Sequence, residues 1–221
     1  MPLKIYKIDA SPGVRSVLMT AELLKLNYVT AEVDIMAAEQ KTPEYLEKNP
    51  AHSVLLLDDG DFYLADSHAI ITYLVSKYGA EQRVKLYPDE LSLKATIDQR
   101  LFFDTSILFP ASKKIVRTMI SEGLTSATKE LRADMIDAYE IMERYLQKTK
   151  FVAADHLTVA DVSCVASISS AAVLVPLDDT YPKLKAWLNT LMKEEWYKKG
   201  NLYGLNKMKE FLEAIGIQTF E

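Results

Sequence analysis

The chain has 221 residues and a net charge of −5, with 49% hydrophobic and 26% charged residues, a balance that is typical of a globular protein. No basic stripe and no apolar run of roughly 18 residues is present, so the composition argues against nucleic acid and against a membrane as partners. The N-terminus lacks the apolar stretch of a secretory signal and Cys164 has no partner for an internal disulfide, so we expect a cytoplasmic protein.

The first 79 residues alternate between strand-like and helix-like patterns. Two apolar runs flank Asp59-Gly60, a pair that supplies the positive φ angles of a tight hairpin turn. The predicted order is βαβαββα, a small α/β domain with a right-handed first crossover. The predicted elements are strands at 4–8, 29–35, 54–57 and 62–64 and helices at 14–24, 43–46 and 67–78.

The remainder of the chain is predicted to be helical. Residues 80–88 are polar and aperiodic, which indicates a linker, and residues 89–221 carry almost no strand pattern. Residues 158–173 are apolar nearly all round, as in a helix that is buried on every side, and Thr158 and Asp161 have capping-box spacing. Cys164 lies on this helix and is expected to be buried and unreactive. The predicted helices are 94–121, 126–148, 158–173, 181–192 and 205–215.

Three polar segments meet at one edge of the predicted sheet. Ser11 precedes the first helix, where the backbone N–H groups and the dipole favour an anion such as a thiolate. The N–H and C=O of Val54 begin a strand at the sheet edge and could pair with an extended peptide. Asp66 and Ser67 open the third helix, with a carboxylate for an ammonium and a site for an anion. These features suit a small peptide that carries both charges and a thiol, although each serine or aspartate could also be a helix cap alone.

With these motifs, the chain resembles the cytosolic glutathione transferases, and among them the insect delta and epsilon classes. The resemblance covers essentially the whole sequence. It implies a thioredoxin-like N-terminal domain, an all-helical C-terminal domain, glutathione between them as co-substrate without a metal or another cofactor, and a homodimer. It rests on Ser11-x-Gly13-Val14-Arg15, Asn49-Pro50-Ala51-His52-Ser53-Val54, Asp66-Ser67-His68-Ala69-Ile70 and Leu157-Thr158-Val159-Ala160-Asp161, in this order.

The same resemblance implies roles for individual residues. Ser11 would donate a hydrogen bond to the glutathione sulfur and stabilise the thiolate. Val54 would bind the cysteinyl backbone, Asp66 the γ-glutamyl ammonium and Ser67 its carboxylate, while Arg15 would brace the first helix. The implied glutathione-binding set is completed by His52, Ser53 and His68. The implied candidates for the hydrophobic-substrate side are Leu101, Phe103, Ile107, Phe109, Ile115, Tyr203 and Leu205.

Three positions depart from the family pattern. Gly13 stands where a proline is usual, which predicts a looser turn after Ser11, and Gln40 replaces a histidine of the second-helix loop. Leu55 replaces the cis-proline that follows the Val54 position. Because a cis peptide without proline costs about 2.5–4 kcal/mol, we expect either a trans bond with a shifted loop and weaker glutathione binding, or a strained bond.

The function predicted from the resemblance is conjugation of the glutathione thiolate to hydrophobic electrophiles, in the setting of detoxification and insecticide resistance. One alternative is a binding protein of the same fold, with little or no turnover, that carries hydrophobic ligands. Another is an enzyme that uses glutathione for peroxide reduction or for isomerisation. The three histidines, His52, His68 and His156, show no metal-ligand spacing, so no metal is expected.

Overall fold

The computed structural model describes residues 2–220, which begin with the predicted βαβαββα order. Strand β2 pairs in parallel with β1, and β3 lies antiparallel to β1 and to β4, so the spatial order is β2-β1-β3-β4. The prediction of a small α/β domain is therefore confirmed. Its elements are β1 Leu3–Lys7, α1 Pro12–Leu23, β2 Tyr28–Glu32, α2 Pro43–Lys48, β3 Leu56–Asp58, β4 Tyr63–Ala65 and α3 Ser67–Tyr78.

The hairpin between β3 and β4 is closed by residues 59–62. The N–H of Asp59 donates to the carbonyl of Phe62 at 2.9 Å. Only Gly60 of the predicted pair has a positive φ, at 74°. A loop of this length needs one left-handed residue, whereas the two-residue turn that the pattern suggested would need two.

Residues beyond α3 form helices in the part of the chain that the structure describes. The predicted helix at 94–121 is instead two helices, α5 (Leu91–Phe103) and α6 (Phe109–Glu122), joined by a π-helical segment, Asp104–Leu108. Pro110 lies at the start of α6, and a proline has no N–H for the regular helical ladder, so the backbone takes an extra residue there. The helices are α4 Arg83–Leu86, α5 Leu91–Phe103, α6 Phe109–Glu122, α7 Lys129–Leu146, α8 Val159–Ala172, α9 Pro182–Leu191, α10 Glu195–Tyr197 and α11 Tyr203–Ala214. None of them is both long and apolar enough to cross a bilayer.

Helix α8 is buried from Val159 to Ala171, as the apolar pattern predicted. The carboxylate of Asp161 secures its start. One oxygen accepts from the N–H and the hydroxyl of Thr158, both at 2.9 Å, and the other accepts from the N–H of Val152 and from the indole of Trp187, also at 2.9 Å. The predicted capping box therefore also ties the preceding loop and α9 to α8.

Arg15 joins the α/β domain to the helical one. Its side chain is fully buried, and its guanidinium donates to Asn201, Ser169 and Ser170. Burial lowers the pKa of Arg15 to about 10, so the side chain stays charged at neutral pH. No carboxylate lies within 4.0 Å of it among residues 2–220. The bracing role that the resemblance implied agrees with these contacts.

Glycines allow the C-terminal part of the chain to pack directly on α1. A Cβ at Gly200 would lie 2.5 Å from the backbone nitrogen of Met19, and one at Gly204 would lie 2.2 Å from the carbonyl oxygen of Asp9. Only a residue without a side chain allows so close an approach between two backbones.

Candidate functional site

Ser11 occupies the N-cap position of α1 without using its side chain as a cap. Its backbone is extended, with φ −69° and ψ 125°, and the hydroxyl accepts no hydrogen bond from the helix. The first helical residue, Pro12, has no N–H to satisfy. The half-buried Ser11 hydroxyl therefore remains free for another partner, so the reading of Ser11 as a helix cap alone is not supported.

The loop before β3 is held in place by side chains behind it. The carbonyl of Ser53 accepts from the hydroxyl of Tyr45 at 2.8 Å and from the amide of Asn49 at 2.9 Å. Asn49 is buried and also contacts the Ser53 hydroxyl at 3.1 Å. His52 is exposed and has a left-handed backbone, with φ 44°. These contacts fix the path of the chain into Val54.

The peptide bond between Val54 and Leu55 is trans. The Leu55 side chain is buried among core residues of the α/β domain, so it anchors the loop at the position where the resemblance implied a proline. The ladder with β1 and β4 begins only at Leu56. The N–H and C=O of Val54 lie outside that ladder and can pair with a ligand backbone.

Asp66 caps α3 and keeps carboxylate surface exposed. One of its oxygens accepts from the N–H groups of His68 at 2.9 Å and Ala69 at 3.1 Å. The hydrogen bond with the His68 ring is the main cause of a lowered pKa at Asp66, although burial opposes it. About 61% of the side chain is exposed, so the carboxylate can bind a cation while it caps the helix.

His68 links α3 to the helical domain. Its Nε2 lies 3.0 Å from the buried carboxylate of Asp104, and its Nδ1 lies 3.5 Å from Asp66. Burial opposes the charged form, but the hydrogen bonds to Asp104 and Asp66 raise the pKa of His68 to about 9. The ring is therefore an imidazolium at neutral pH. The hydroxyl of Ser163 donates to the same oxygen of Asp104, whose other oxygen has no partner within residues 2–220.

A cleft of about 70 Å³ lies between the starts of α1 and α3 and the helical domain. A Cβ on Gly13 would lie 3.0 Å from the Ser67 hydroxyl, so Gly13 packs closely on Ser67 where the sequence predicted only a looser turn. Ser11 directly precedes the lining residues, whereas His52, Ser53 and Val54 are not among them. The lining consists of Pro12, Gly13, Ser16, Asp66, Ser67, His68, Asp104, Thr105, Phe109, Ser163 and Ser167.

The proposed hydrophobic-substrate residues fall into different environments. Phe103 and Ile115 are buried in the core of the helical domain, as is Leu101, so these three side chains have almost no surface to offer a substrate. Ile107 is 40% exposed and Tyr203 is 62% exposed. Phe109 lines both the cleft and a shallow depression of about 560 Å³. That depression is bordered by Thr105, Phe109, Pro110, Lys113, Lys114, Arg117 and Thr118.

The sequence analysis missed Asp104 and Ser163. A lone acid inside the apolar stretch that contains Leu101 and Leu108 was the available signal for Asp104. Cys164, next to Ser163, is fully buried, as predicted, and burial raises the pKa of its thiol well above the ordinary value. No group of three metal-ligating side chains occurs in the described residues.

Comparison with known proteins agrees with this architecture. Residues 5–82 match the model for the glutathione S-transferase N-terminal domain, and residues 96–195 match that for the C-terminal domain. The chain is 41% identical over 217 residues to glutathione S-transferase 1 of Manduca sexta, covering 97% of this chain and 99% of that protein.

Solved structures give the same result. An epsilon-class glutathione S-transferase of the housefly, Musca domestica, superposes with a TM-score of 0.91 at 34% identity, covering 98% of this chain and 99% of that one. A glutathione transferase homologue of Drosophila mojavensis with bound glutathione gives a TM-score of 0.89 at 38% identity, with 98% and 99% covered. The chain therefore belongs to the glutathione S-transferase family, whose enzymes use glutathione as a co-substrate.

Proposed function

We propose that this glutathione transferase conjugates the thiolate of reduced glutathione to hydrophobic electrophiles, with Ser11 as the group that stabilises the thiolate. The observation that carries the proposal is the Ser11 hydroxyl, which stands at the N-terminus of α1 and makes no capping bond. A hydroxyl in this place can donate to an anionic sulfur, where the helix dipole also favours negative charge.

Glutathione would lie extended across the ends of α1 and α3. Val54 would pair with its cysteinyl backbone, the exposed carboxylate of Asp66 would receive the γ-glutamyl ammonium, and Ser67 at the start of α3 would receive the carboxylate. His68, as an imidazolium held by Asp104, would fix the start of α3 and add positive charge there. His52 and Ser53 complete the proposed binding loop.

In the reaction, the glutathione thiol loses its proton to water, and the thiolate sulfur forms a bond to the electrophilic carbon. The displaced group leaves with the electron pair of the bond that breaks. Ser11 donates its hydrogen bond throughout and forms no covalent bond. The exposed or cleft-lining side chains of Ile107, Phe109 and Tyr203 would contact the hydrophobic part of the electrophile.

The decisive experiment replaces the hydroxyl at each of two N-cap positions. Thr128 is the matched control, because its side chain does cap a helix, accepting from the N–H of Leu131 at 3.2 Å. With 1-chloro-2,4-dinitrobenzene, Ser11→Ala is expected to lower kcat about 10²–10³-fold and leave Tm unchanged. Thr128→Ala is expected to cost about 1 kcal/mol of stability and leave kcat unchanged. Unchanged turnover in Ser11→Ala would remove Ser11 from the mechanism.

The second candidate function is a ligand carrier of the same fold with little turnover. The trans bond before Leu55, in place of the family's cis-proline, favours it. Calorimetric titration separates the two candidates, because a carrier with a displaced loop gives no binding heat at millimolar glutathione. If glutathione binds, cumene hydroperoxide and a maleyl isomerisation substrate distinguish peroxidase or isomerase activity from conjugation.

We also propose a homodimer, with the hairpin and α3 of one subunit against α5 of the other. Exposed apolar side chains support it, namely Phe62 and Tyr63 on the hairpin and Leu91 and Phe102 on α5. Sedimentation should give twice the chain mass of 25.0 kDa. We further propose that the chain divides into domains 1–79 and 89–221, joined by a linker at 80–88. The proposed location is the cytoplasm, and the proposed role is in detoxification and insecticide resistance.

A further inference from the structure

The shallow depression on α6, called here the α6 depression, continues the cleft beside Ser11. Thr105 and Phe109 line both spaces, so a molecule that reacts in the cleft can extend past the Phe109 ring into the α6 depression. The α6 depression measures about 560 Å³ and the cleft about 70 Å³. Because sites for small molecules usually exceed the volume of this cleft, most of a bulky electrophile would lie in the α6 depression.

Successive turns of α6 line the depression with positive charge. Lys113 follows Phe109 by four residues and Arg117 follows Lys113 by four, so the three side chains share one face of the helix. The Nζ of Lys113 lies 5.7 Å from the centre of the Phe109 ring. A ligand that leaves the cleft along this face therefore passes an aromatic surface and then meets two exposed cations.

The charges of Lys113 and Arg117 are not neutralised by acidic side chains. No carboxylate lies within 4.0 Å of either residue in the part of the chain that the structure describes. Lys114, the third cation of the α6 depression, is already paired with Asp134 of α7 at 2.7 Å. The stretch from 109 to 121 contains no acidic residue. Both free cations are therefore available to an anion.

We propose that the electrophiles of this enzyme carry an acidic group, which binds Lys113 and Arg117 while the reacting carbon lies beside Ser11. The inference rests on the proposed conjugation and adds the substrate class to it. The class is a hydrophobic electrophile with a carboxylate or sulfonate at the end remote from the reacting carbon. The same two cations repel a positively charged electrophile and add nothing to the binding of a neutral one.

Ethacrynic acid is a suitable probe, because its carboxylate is separated from its α,β-unsaturated ketone by a chlorinated phenoxy ring. The thiolate sulfur bonds to the terminal alkene carbon, the π electrons pass to the ketone oxygen, and the enolate takes a proton from water at the α-carbon. The carboxylate takes no part in these steps and can add only binding energy. Ethacrynic amide, with the same ketone and ring, is the matched neutral probe.

The test removes both cations together, as Lys113→Gln and Arg117→Gln. Both side chains are exposed, so the variant should keep its fold. We expect kcat/KM for ethacrynic acid to fall about fivefold, the size that two exposed ion pairs give, and that for the amide to stay the same. The loss should appear in KM, because the carboxylate is bound equally before and during the reaction. An equal fall with both probes, or no fall with the acid, would overturn the proposal.

The matched control removes the same net charge elsewhere, as Lys148→Gln and Lys193→Gln. Both lysines are exposed and neither lines the α6 depression, so turnover of both probes should be unchanged. A loss with the acid as large as in the Lys113 and Arg117 variant would assign the effect to net charge and overturn the proposal. Added salt should lower kcat/KM for the acid alone, because it screens exposed charges.

The KM for glutathione, measured with the amide, separates the electrophile from the co-substrate. It should be the same in the unchanged protein and in the Lys113 and Arg117 variant. A higher KM for glutathione in the variant would show that these cations hold glutathione, and would overturn the proposal. Absence of turnover by the unchanged protein with 1-chloro-2,4-dinitrobenzene and with both probes would overturn the proposed conjugation as well.

Discussion

Asp161, in the first turn of α8, and Asp104, which contacts α8 at Ser163, are both buried carboxylates, yet they are satisfied differently. Asp161 accepts four hydrogen bonds, all from neutral donors in its own domain. Asp104 accepts from His68 and Ser163 on a single oxygen and leaves the other oxygen without a partner in the described residues. Asp161 is therefore saturated with hydrogen bonds, whereas Asp104 has one free acceptor oxygen and lines the cleft.

The difference separates a structural acid from one beside a functional site. Because all four donors to Asp161 lie in the helical domain, the contribution of this carboxylate to stability does not depend on the α/β domain. Asp104 takes its charged partner, His68, from the α/β domain, so its burial is compensated only when the two domains are docked. Unsatisfied polar atoms of this kind concentrate at functional sites, where folding rules are relaxed.

The largest effect is expected from Asp161→Asn. The new amide places a donor where four donors converge, so we expect a loss of about 3 kcal/mol in the free energy of unfolding, measured by urea denaturation. Asp155→Asn is the control, since Asp155 is exposed and accepts one bond, from the N–H of Lys150 at 3.0 Å. A loss no larger than that of the control would show that the four bonds add little.

His68→Gln is expected to lower stability by an amount that depends on pH. The pKa of His68 is raised from 6.5 to about 9 in the folded protein, so its stabilising contribution is complete below pH 6.5 and is lost as the pH rises through 9. We expect about 2 kcal/mol of destabilisation at pH 6 and much less at pH 9.5. The exposed His156→Gln is the control, and a loss independent of pH contradicts the imidazolium assignment.

A double-mutant cycle between His68→Gln and Asp104→Asn measures the contact between domains. A coupling energy of about 1–2 kcal/mol is expected near pH 6.5. The exposed pair of Lys114 and Asp134, at 2.7 Å with both side chains 56% exposed, should give less than about 1 kcal/mol in the same measurement. Additive effects in both cycles would mean that Asp104 and His68 act independently.

Gly13→Ala is expected to have the smallest effect on stability, but a measurable effect on glutathione binding. The added Cβ lies 3.0 Å from the Ser67 hydroxyl, so Ser67 must move by a few tenths of an ångström. We expect a several-fold higher KM for glutathione and a stability change below about 1 kcal/mol. In a Ser67→Ala background the further effect of Gly13→Ala should be smaller, and equal effects in both backgrounds would contradict the contact.

Local patterns made the type and the approximate place of most elements predictable, although some ends differ: the strand predicted at 29–35 ends at Glu32, and the predicted linker contains the short helix α4. The apolar spacing of α1, the hairpin around Gly60 and the cap of Thr158 and Asp161 are all encoded within a few residues. The motifs at Ser11, Val54 and Asp66 were also readable, because each lies at the end of an element.

Contacts between distant residues could not be read from the same patterns. His68 and Asp104 are 36 positions apart, and Arg15 and Asn201 are 186 apart. Apolar periodicity gives the face of a helix but not the partner of a buried charge. Phe103 and Ile115 were assigned to the substrate side from the resemblance, which implies a helix at that place but not the direction of each side chain, and both lie in the core instead.

The glycines that seat residues 198–204 on α1 have a consequence for synthesis of the chain. Helix α1 is among the first segments made, but Gly200, Asn201 and Gly204, which cover it, are among the last. During synthesis on the ribosome, Arg15 can therefore contact Asn201 only after most of the chain has been made. A chain released before residue 200 has been made would lack the residues that cover Arg15. This cation, which is buried in the complete protein, would then be exposed near Ser11, a state that protein quality control can recognise.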